Sequence, residues 1–507
     1  MPTSRKVTLM FGVEIINALI GWVALFVVAR NMGPDALGEI AYALSLVGGF
    51  TFLAYLGFRN AHIKRVSEGK NLAKCIGTFL VLQTALLSLM LIAFGAFYWS
   101  WTSLLDKQFY DVRIEVLLSI LAYYVIVIYS GIMKDTFTGL QQGAKVAITN
   151  LIAEGTRAII MIFTALFAWK VIWLANAYLI GAILATFFMF WYFKDYPIEK
   201  TDRTFVNSYV KYAIPLAVLS IVGIVNTFFD KIIVGIFWTE TEVGQYYAVQ
   251  RIALFLGTIA LSLEYMLLPA VSKIYQEKSE GLTGLIHRSE RYTLMVTMPV
   301  VVVVCIFSSD IIRILLSNDF VDASRALQIL VLGSLIMISN RPWSIALRGA
   351  DRPDITSAIG ILSTISALVL MLYLVPKEIP HLGLQDLPGL GAEGAALAIL
   401  TSYSIACIGL RFFSFTQLGI PPSLSLGKQI ISAIITGYLL SQISTWFDLD
   451  ADSLRWYSLF LVSGLGAFLY FAILSAIGGF KRADFDYLYD VINPFKMLSY
   501  VKEELKN

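Results

Sequence analysis

The chain is a succession of apolar segments of about 20 residues, separated by short polar connections. A helix that crosses a bilayer needs about 20 mostly apolar residues, and it must satisfy its backbone N–H and C=O groups internally because no water is present. The pattern predicts about fourteen such helices, which makes the fold an all-α integral membrane protein. The predicted spans are residues 7–29, 37–58, 75–99, 112–132, 147–168, 171–193, 212–237, 244–271, 292–307, 326–347, 355–375, 394–413, 426–447 and 457–477.

Parts of this pattern repeat at a nearly constant offset. In residues 26–46 and 232–252, about 206 positions apart, an apolar segment ends in a polar turn, a glycine follows, and a Tyr-containing apolar segment begins. A second match, offset by about 207, aligns Leu140, Lys145, Ile148 and Thr149 with Leu347, Arg352, Ile355 and Thr356. Two related blocks of about six helices are typical of transporters that bind their substrate between the halves.

The repeat predicts a division of the chain into lobes. Residues 1–200 and 201–413 would each form a six-helix lobe, and residues 414–479 would add two helices. Six helices return the chain to the same side, so the lobes would be parallel copies about an axis along the membrane normal. Residues 480–507 mix apolar, acidic and basic side chains, which predicts an amphipathic helix on the cytoplasmic surface.

Composition and charge agree with a membrane protein. Apolar residues make up 58% of the chain and charged residues 14%, against roughly a quarter charged in soluble proteins. Most Lys and Arg residues lie at the N-terminus and in the even-numbered connections, which predicts a multi-pass protein of the cell membrane with both termini in the cytoplasm. The net charge of +3 requires no nucleic-acid partner.

The cysteine and histidine residues do not indicate a metal or cofactor site. The three cysteines show neither pairing nor metal-ligand spacing. The histidines are His62, His287 and His381, all in predicted loops and too dispersed for a metal site. The sequence therefore predicts no metal and no bound cofactor, and it leaves H⁺ or Na⁺ as candidate coupling ions.

Charged residues inside the predicted helices carry the candidate chemistry. Each one costs roughly 2.5–3.5 kcal/mol near the bilayer centre, so it needs a partner or a water-filled cavity. These residues are Glu14, Glu154, Arg157, Asp230, Lys231, Arg251, Glu264 and Arg341.

Asp230 and Arg251 flank the turn between predicted helices seven and eight. Both lie roughly 10 Å from the outer end of that hairpin at 1.5 Å per residue, so they can pair. Arg251 could face the central cavity and bind an anionic group, with Asp230 as its counter-ion or as a coupling-ion ligand. The alternative is a structural ion pair within one hairpin. Lys231 would point about 100° away, toward a partner on another helix.

Glu14 and Arg341 complete the predicted substrate site. Glu14 lies two turns into helix one, where it could couple transport to H⁺ or Na⁺ or bond to an Arg of another helix. Arg341 precedes Pro342, which is predicted to interrupt helix ten and to free carbonyls that line a cavity; Arg341 would either bind ligand there or stabilise the kink. Glu154 and Arg157, three residues apart, predict a local ion pair near the cytoplasmic end of helix five.

The segments around the two repeated turns resemble a known family. Residues 29–46 read ARNMGPDALGEIAYALSL, residues 228–237 read FFDKIIVGIF, and residues 243–254 read VGQYYAVQRIAL. They resemble the Wzx-type O-antigen flippase branch of the multidrug/oligosaccharidyl-lipid/polysaccharide superfamily, over the whole chain. The first-turn motif is present as Met32, Gly33, Pro34, Asp35 and Gly38, with Ile40 in place of the aromatic residue and Tyr42 displaced. The second-half acid and base of the family match Asp230 and Arg251.

This resemblance implies two six-helix lobes around a central cavity, often with two further C-terminal helices. It also implies a lipid-linked oligosaccharide as substrate, a polyprenyl (di)phosphate carrying sugars that is turned from the cytoplasmic to the outer leaflet. Membrane lipids would be partners, and glycan-assembly enzymes are candidate partners. Within the superfamily, a cation-coupled multidrug exporter and a peptidoglycan-precursor flippase remain alternatives.

A membrane glycosyltransferase or polymerase is the alternative from another class. Such an enzyme should carry an acidic metal-nucleotide motif or a large extramembrane loop with acid and base residues. Asp310, Asp319 and Asp322 share one predicted outer loop, but they are accompanied by Arg313 and Arg325 and are typical of a solvated connection. The sequence therefore favours a transporter over an enzyme.

Overall fold

The computed structural model describes residues 3–103, 112–277, 281–380, 383–423, 425–446, 456–480 and Asp484. Its helices are α1 (Thr3–Gly49), α2 (Thr51–Tyr55), α3 (Phe58–Ser67), α4 (Leu72–Ser103), α5 (Ile114–Gly139), α6 (Gly143–Leu166), α7 (Ile172–Phe193), α8 (Arg203–Phe237), α9 (Glu240–Gln276), α10 (Leu282–Ile306), α11 (Ser308–Leu315), α12 (Ser324–Gly349), α13 (Pro353–Leu374), α14 (Gly391–Leu418), α15 (Ser425–Trp446) and α16 (Trp456–Ala476). A 3₁₀ turn covers Asn318–Ala323.

The predicted all-helical membrane fold is confirmed. In the described part of the chain, eleven helices are long and apolar enough to cross a membrane. The count of fourteen spans stays a prediction. So does the surface helix of residues 480–507, of which only Phe480 and Asp484 lie within the described residues.

The chain divides into two compact units, Met1–Tyr247 and Ala248–Asn507. In the first unit, α1 packs against α5, α6 and α8, and α7 packs against α5 and α6. In the second unit, α12 packs against α10, α13 and α14, and α15 packs against α10 and α16. The predicted lobes, residues 1–200 and 201–413, describe the sequence repeat and remain a prediction.

Predicted helices one and two lie end to end within α1, which consists of two helical stretches joined at a kink. The kink lies at Gly33, whose φ of 76° and ψ of −177° are not helical. A positive φ is favourable for glycine because it lacks a Cβ atom. Pro34 follows, and its fixed φ suits the first turn of the helical stretch that resumes there. The predicted turn between helices one and two is therefore a kink at a single non-helical residue, Gly33.

A second break separates α2 from α3. Leu56 and Gly57 both have positive φ values, 34° and 80°. A Cβ atom on Gly57 would lie 2.6 Å from the backbone carbonyl oxygen of Ala213 in α8. Glycine is therefore required at position 57 both for its φ and for this close approach. The break reorients the chain immediately before Arg59.

The repeated glycines contact each other's segments reciprocally. A Cβ atom on Gly38 would overlap the carbonyl oxygen of Glu240, and a Cβ atom on Gly244 would overlap that of Pro34. Pro34 and Glu240 are separated by the same 206 positions as the two glycines. We call this arrangement the reciprocal glycine contact; it lies entirely in the first unit.

A hydrogen bond beside this contact also joins residues that correspond in the two repeats. The Thr241 hydroxyl donates to Asp35 Oδ1 at 2.6 Å, and these residues too are 206 positions apart. Next to them, the buried Glu39 carboxylate accepts from Arg113 Nη2 at 2.7 Å and from the Arg113 backbone N–H at 3.1 Å. Corresponding residues of the two repeats thus meet one another.

Three local predictions were wrong. The ninth predicted helix begins at Leu282 rather than at residue 292. His62 and His287 lie in helices α3 and α10 rather than in loops, whereas His381 is outside the described residues. Helix α12 continues through Pro342 without the expected interruption. In each case tertiary packing extends a helix past polar residues or a proline that would end it in isolation.

Candidate functional site

A cavity of about 220 Å³ lies inside the first unit, among helices α2 to α7. We call it the first-unit cavity. Five charged side chains line it, namely Arg59, Lys134, Asp135, Glu154 and Arg157. Three cations and two carboxylates give its wall a net charge of one positive. A group of charges this dense, enclosed by membrane-spanning helices, is expensive to maintain and therefore indicates a functional site.

Arg59 and Asp135 form a two-pronged ion pair. Arg59 Nε and Nη2 donate to the two carboxylate oxygens of Asp135, each at 2.8 Å. Such fork-to-fork pairs are strong and fix the plane of both groups. The Asp135 side chain is 2% exposed and that of Arg59 is 40% exposed, and the guanidinium lies over the ring of Tyr55, 5.2 Å from its centroid. The pair holds a cation at the wall without removing it from solvent.

Glu154 and Arg157 form the local pair that their spacing predicts. Arg157 Nη1 donates to Glu154 Oε1 at 3.0 Å, and a second contact joins Nη2 to Oε2. The two residues lie roughly 16 and 21 Å along α6 from Gly143 at 1.5 Å per residue. They are thus near the middle of this helix, and the expected position near its end was wrong. Arg157 also lies over the Tyr178 ring, 4.8 Å from the centroid.

Lys134 connects two walls of the cavity. Its Nζ donates to Asn150 Oδ1 at 3.1 Å, which joins α5 to α6. The fourth predicted helix ends at residue 132, which puts Lys134 and Asp135 in a loop, whereas α5 continues to Gly139. Gly139 still belongs to the helix, and the residue with a positive φ beyond its end is Gln141 rather than a glycine, so no common glycine stop signal marks this end in the sequence.

Aromatic and amide side chains complete the wall. Tyr123 meets Tyr178 edge to face, with the ring centroids 5.5 Å apart. Gln83 is buried and donates to the Ala54 carbonyl at 2.9 Å. Both Tyr123 and Gln83 line the cavity. Flat apolar rings beside a few fixed polar groups are the usual composition of sites for small organic ligands.

Asp230, a predicted site residue, is buried in the first unit. Its Oδ1 accepts from Lys231 Nζ at 2.7 Å, and its Oδ2 accepts from the Tyr246 hydroxyl at 3.0 Å. The Asp230 and Lys231 side chains are 3% and 8% exposed. The expectation that Lys231 would turn away from Asp230 was wrong, because its long side chain folds back onto the neighbouring carboxylate.

The other predicted site residues are dispersed along the chain. Arg251 lies in α9 and is exposed, and Arg341 lies in α12 and is half-buried; both belong to the second unit. Glu14 lies in α1, with its side chain outside the described residues, as is that of Glu264 in α9. The assembly of Arg251, Arg341, Asp230 and Glu14 into one site remains a prediction.

The second unit contains a buried ion pair whose residues are not among the predicted site residues. Arg411 Nη2 donates to Glu290 Oε1 at 2.5 Å. The same oxygen accepts from the Ser339 hydroxyl and from Trp343 Nε1, each at 3.0 Å. Arg411 Nη1 donates to Asn340 Oδ1 at 3.1 Å. We call this group, Glu290 with Ser339, Asn340, Trp343 and Arg411, the second-unit cluster.

The second-unit cluster is more deeply buried than the wall of the first-unit cavity. The side chains of Glu290 and Arg411 are 2% and 16% exposed. Arg411 also lies over the fully buried ring of Trp343, 5.2 Å from the centroid. Glu290 precedes the ninth predicted helix, which begins at residue 292, and Arg411 lies near the end of the twelfth, so the predicted site contains neither residue.

Comparison with known proteins agrees with this architecture. A Haloferax volcanii protein, Agl15, that bears the name of a low-salt glycan biosynthesis flippase is 22% identical over 412 residues, which are 80% of this chain and 82% of that protein. A Shigella flexneri protein named as an O-antigen transporter is 22% identical over 378 residues, which are 71% of this chain and 88% of that protein.

A solved structure shares the fold. The lipid II flippase MurJ in its inward closed conformation has a TM-score of 0.73, with 16% sequence identity, and the match covers 92% of this chain and 98% of that one. At this identity the likeness concerns the fold alone.

A family model described as "polysaccharide biosynthesis protein" matches residues 27–325. This match extends over more than half of the chain and includes both repeated turns and most of the first-unit cavity. It confirms the resemblance inferred from the motifs around Gly38 and Gly244. The chain is a member of the polysaccharide biosynthesis protein family.

Proposed function

We propose that this protein is a flippase that moves a lipid-linked oligosaccharide from the cytoplasmic to the outer leaflet of the cell membrane by alternating access. Two relatives over most of the chain bear the names of a glycan flippase and an O-antigen transporter. Sugars and phosphates do not cross hydrocarbon unaided, because stripping water from polar groups costs several kcal/mol each and from charges far more. Such a cargo needs a polar chamber between membrane helices.

The first-unit cavity is the observation that carries this proposal. Its wall holds charged groups on α3, α5 and α6, including Arg157 near the middle of a membrane-spanning helix. Each such group costs a few kcal/mol in a bilayer, and here the charged groups border open space in which a ligand can contact them. The polar head of the substrate would use such a chamber while the isoprenoid chain stays in lipid.

The residues predicted from the sequence have roles in the same proposal. Arg251 and Arg341 would contact the anionic head of the substrate. Asp230 and Glu14 would balance charge or bind a coupling cation, H⁺ or Na⁺. The bonds from Lys231 and Tyr246 to Asp230 support the charge-balancing role, because they supply the carboxylate with a counter-charge and a further hydrogen-bond donor inside the protein. Both termini would lie in the cytoplasm, and the protein would catalyse no covalent reaction.

Reconstitution of the purified protein tests the function directly. A fluorescent polyprenyl-diphosphate oligosaccharide is placed in proteoliposomes, and its appearance in the opposite leaflet is followed by quenching from outside. The wild type should flip the lipid. Arg157→Gln should lower the initial rate at least tenfold. Arg352→Gln is the matched control, because Arg352 is half-buried like Arg157, pairs with a carboxylate, Asp354, and does not line the cavity.

The same assay can overturn the proposal. A wild type that fails to flip the lipid-linked glycan, but expels a cationic dye along an H⁺ or Na⁺ gradient, would identify a multidrug exporter instead. Equal rates in wild type and Arg157→Gln would remove the first-unit cavity from the transport path. Arg251→Ala and Arg251→Lys are assayed in parallel, and unchanged rates in both would remove Arg251 from the site.

A further inference from the structure

The guanidinium groups of the first-unit cavity are already occupied by carboxylates. Arg59 uses Nε and Nη2 for Asp135, and Arg157 uses both terminal nitrogens for Glu154. Each guanidinium keeps three N–H groups outside its ion pair, but a phosphate bound to them would place a second negative group beside Asp135 or Glu154. A hydroxyl group is neutral, and it can donate to a carboxylate oxygen and accept from an N–H at the same time. The ion pairs therefore favour a ligand rich in hydroxyl groups over a phosphate.

Further groups in the wall suit such a ligand. Asn150 accepts from Lys134 through Oδ1, and its NH₂ group supplies two more donors for hydroxyl oxygens. Tyr55, Tyr123 and Tyr178 all line the cavity, and the face of a tyrosine ring packs well against the apolar C–H face of a sugar ring. A pyranose has an apolar C–H face and a rim of hydroxyl groups. The tyrosine rings suit the first, and the groups that both donate and accept hydrogen bonds suit the second.

The size of the cavity limits what can enter. Its volume of about 220 Å³ corresponds to roughly seven water molecules at about 30 Å³ each. One pyranose ring with its hydroxyl groups occupies comparable space, whereas an extended oligosaccharide does not. The small side chains of Gly131, Ala153 and Ala185 keep this space open.

We infer that the first-unit cavity is a sugar-binding pocket that holds a single ring of the lipid-linked glycan, with the phosphate bound elsewhere. This inference rests on the proposed flippase function and adds to it the part of the substrate that this pocket recognises. Sugar hydroxyls bridge the Arg59–Asp135 and Glu154–Arg157 pairs and bond to Asn150, and the apolar face of the ring packs against Tyr123. The glycan is thus selected by one of its sugars.

Binding of simple sugars to the full-length protein in lipid nanodiscs tests this inference. The probes are the methyl glycosides of glucose, galactose, mannose, N-acetylglucosamine and glucuronic acid, and the counter-probe is inorganic pyrophosphate. Saturation-transfer NMR detects the weak, millimolar binding expected of a single sugar. Asn150→Ala and Tyr123→Leu should each reduce the signal of the bound glycoside at least fivefold.

Matched variants control for unspecific effects. Asn176→Ala removes the same side chain from α7, where Asn176 bonds to Ser119 and does not line the cavity. Tyr129→Leu makes the same change on α5 at an exposed position. Both should bind glycosides like the wild type, and all four variants should keep the wild-type unfolding temperature.

The outcomes separate this inference from the proposed function. Failure of every glycoside to bind, or binding that the Asn150 and Tyr123 substitutions leave intact, overturns the sugar pocket. Binding of pyrophosphate that these substitutions abolish replaces it with a phosphate site. The flipping assay is run on the same preparations: a protein that flips the lipid-linked glycan but binds no glycoside contradicts only the pocket, and a protein that flips none contradicts the function.

Discussion

The two units each contain buried ion pairs, but they differ in what surrounds them. In the first unit, the Arg59 side chain is 40% exposed beside a cavity. In the second unit, Arg411 is 16% exposed and its guanidinium is bonded to Glu290, Ser339 and Asn340. The same chemical pair can thus line a ligand site or hold helices together, and the space left beside it decides which.

One pair of corresponding residues illustrates this difference. Glu290 of the second-unit cluster stands 207 positions after Gln83, which lines the first-unit cavity. The second unit thus carries a buried carboxylate where the first has a neutral amide. We interpret the second-unit cluster as structural and the first-unit cavity as functional.

The largest effect is expected from breaking the second-unit cluster. Arg411→Ala leaves the Glu290 carboxylate buried without its counter-charge and should destabilise the protein by about 3–5 kcal/mol. The measurement is unfolding in detergent by heat or denaturant. Adding Glu290→Gln to Arg411→Ala should restore a large part of the loss, because the uncompensated charge is then removed. Equal stability of the single and double variants would contradict this account.

A pH effect is expected from His62, which lies outside the candidate membrane spans. Burial lowers the pKa of His62 to about 3, and its ring nitrogens bond to Tyr209 and Thr136. The unfolded state takes up a proton below pH of about 6.5 and the folded state does not. The stability that the neutral His62 ring gives the folded state is fully present above a pH of about 6.5. It is lost by about 1.4 kcal/mol per pH unit as the pH falls toward 3.

Because of His62, the unfolding free energy at pH 5 should be about 2 kcal/mol lower than at pH 7. Stability curves at the two pH values measure it. His62→Gln cannot titrate and should remove this part of the pH dependence. A slope between pH 7 and 5 that is the same in wild type and His62→Gln would show that His62 is not responsible.

Filling the first-unit cavity should separate function from stability. Ala185→Leu adds side-chain volume to the cavity wall and should lower the flipping rate at least tenfold, which corresponds to about 1.4 kcal/mol. The unfolding temperature should change little, because the added atoms occupy space that is open. Ala85→Leu is the control, since Ala85 is exposed on α4 and does not line the cavity. Flipping by Ala185→Leu at the wild-type rate would show that the cavity need not be open.

The smallest effect is expected for an exposed ion pair. Lys273 Nζ and Glu277 Oε1 are 3.9 Å apart, with side chains 75% and 55% exposed. Lys273→Ala should change the unfolding free energy by no more than about 0.5 kcal/mol, because exposed pairs are solvated and screened. A loss as large as that for Arg411→Ala would mean that charge pairing, rather than burial, sets the difference between the units.

Much of the fold could be predicted from hydrophobic patterning. The bounds of α7, α13, α15 and α16 lie within two residues of the predicted spans, because long apolar runs with polar ends leave little choice. The spans were least accurate where a helix carries charges inside its terminal turns. Helix α10 runs ten residues ahead of its prediction because Glu290 is compensated by Arg411, from a helix more than 100 residues away in the chain.

The candidate site was harder to predict than the fold. The pair Glu154–Arg157 was accessible because its spacing of three residues is local. The partners Arg59 and Asp135 are 76 residues apart, and nothing in their local sequence relates them. A cavity also depends on small side chains that leave space open, such as that of Ala185. The pattern of polar and apolar residues does not predict where such space remains.

The reciprocal glycine contact has an evolutionary consequence. In a two-fold interface between identical subunits, corresponding residues contact each other's segments reciprocally. Gly38, Gly244, Pro34 and Glu240 preserve this arrangement inside one polypeptide. Between two identical chains, one mutation would alter both sides of such a contact at once. Within one polypeptide the two sides can differ, and an aspartate on one side, Asp35, faces a threonine on the other, Thr241.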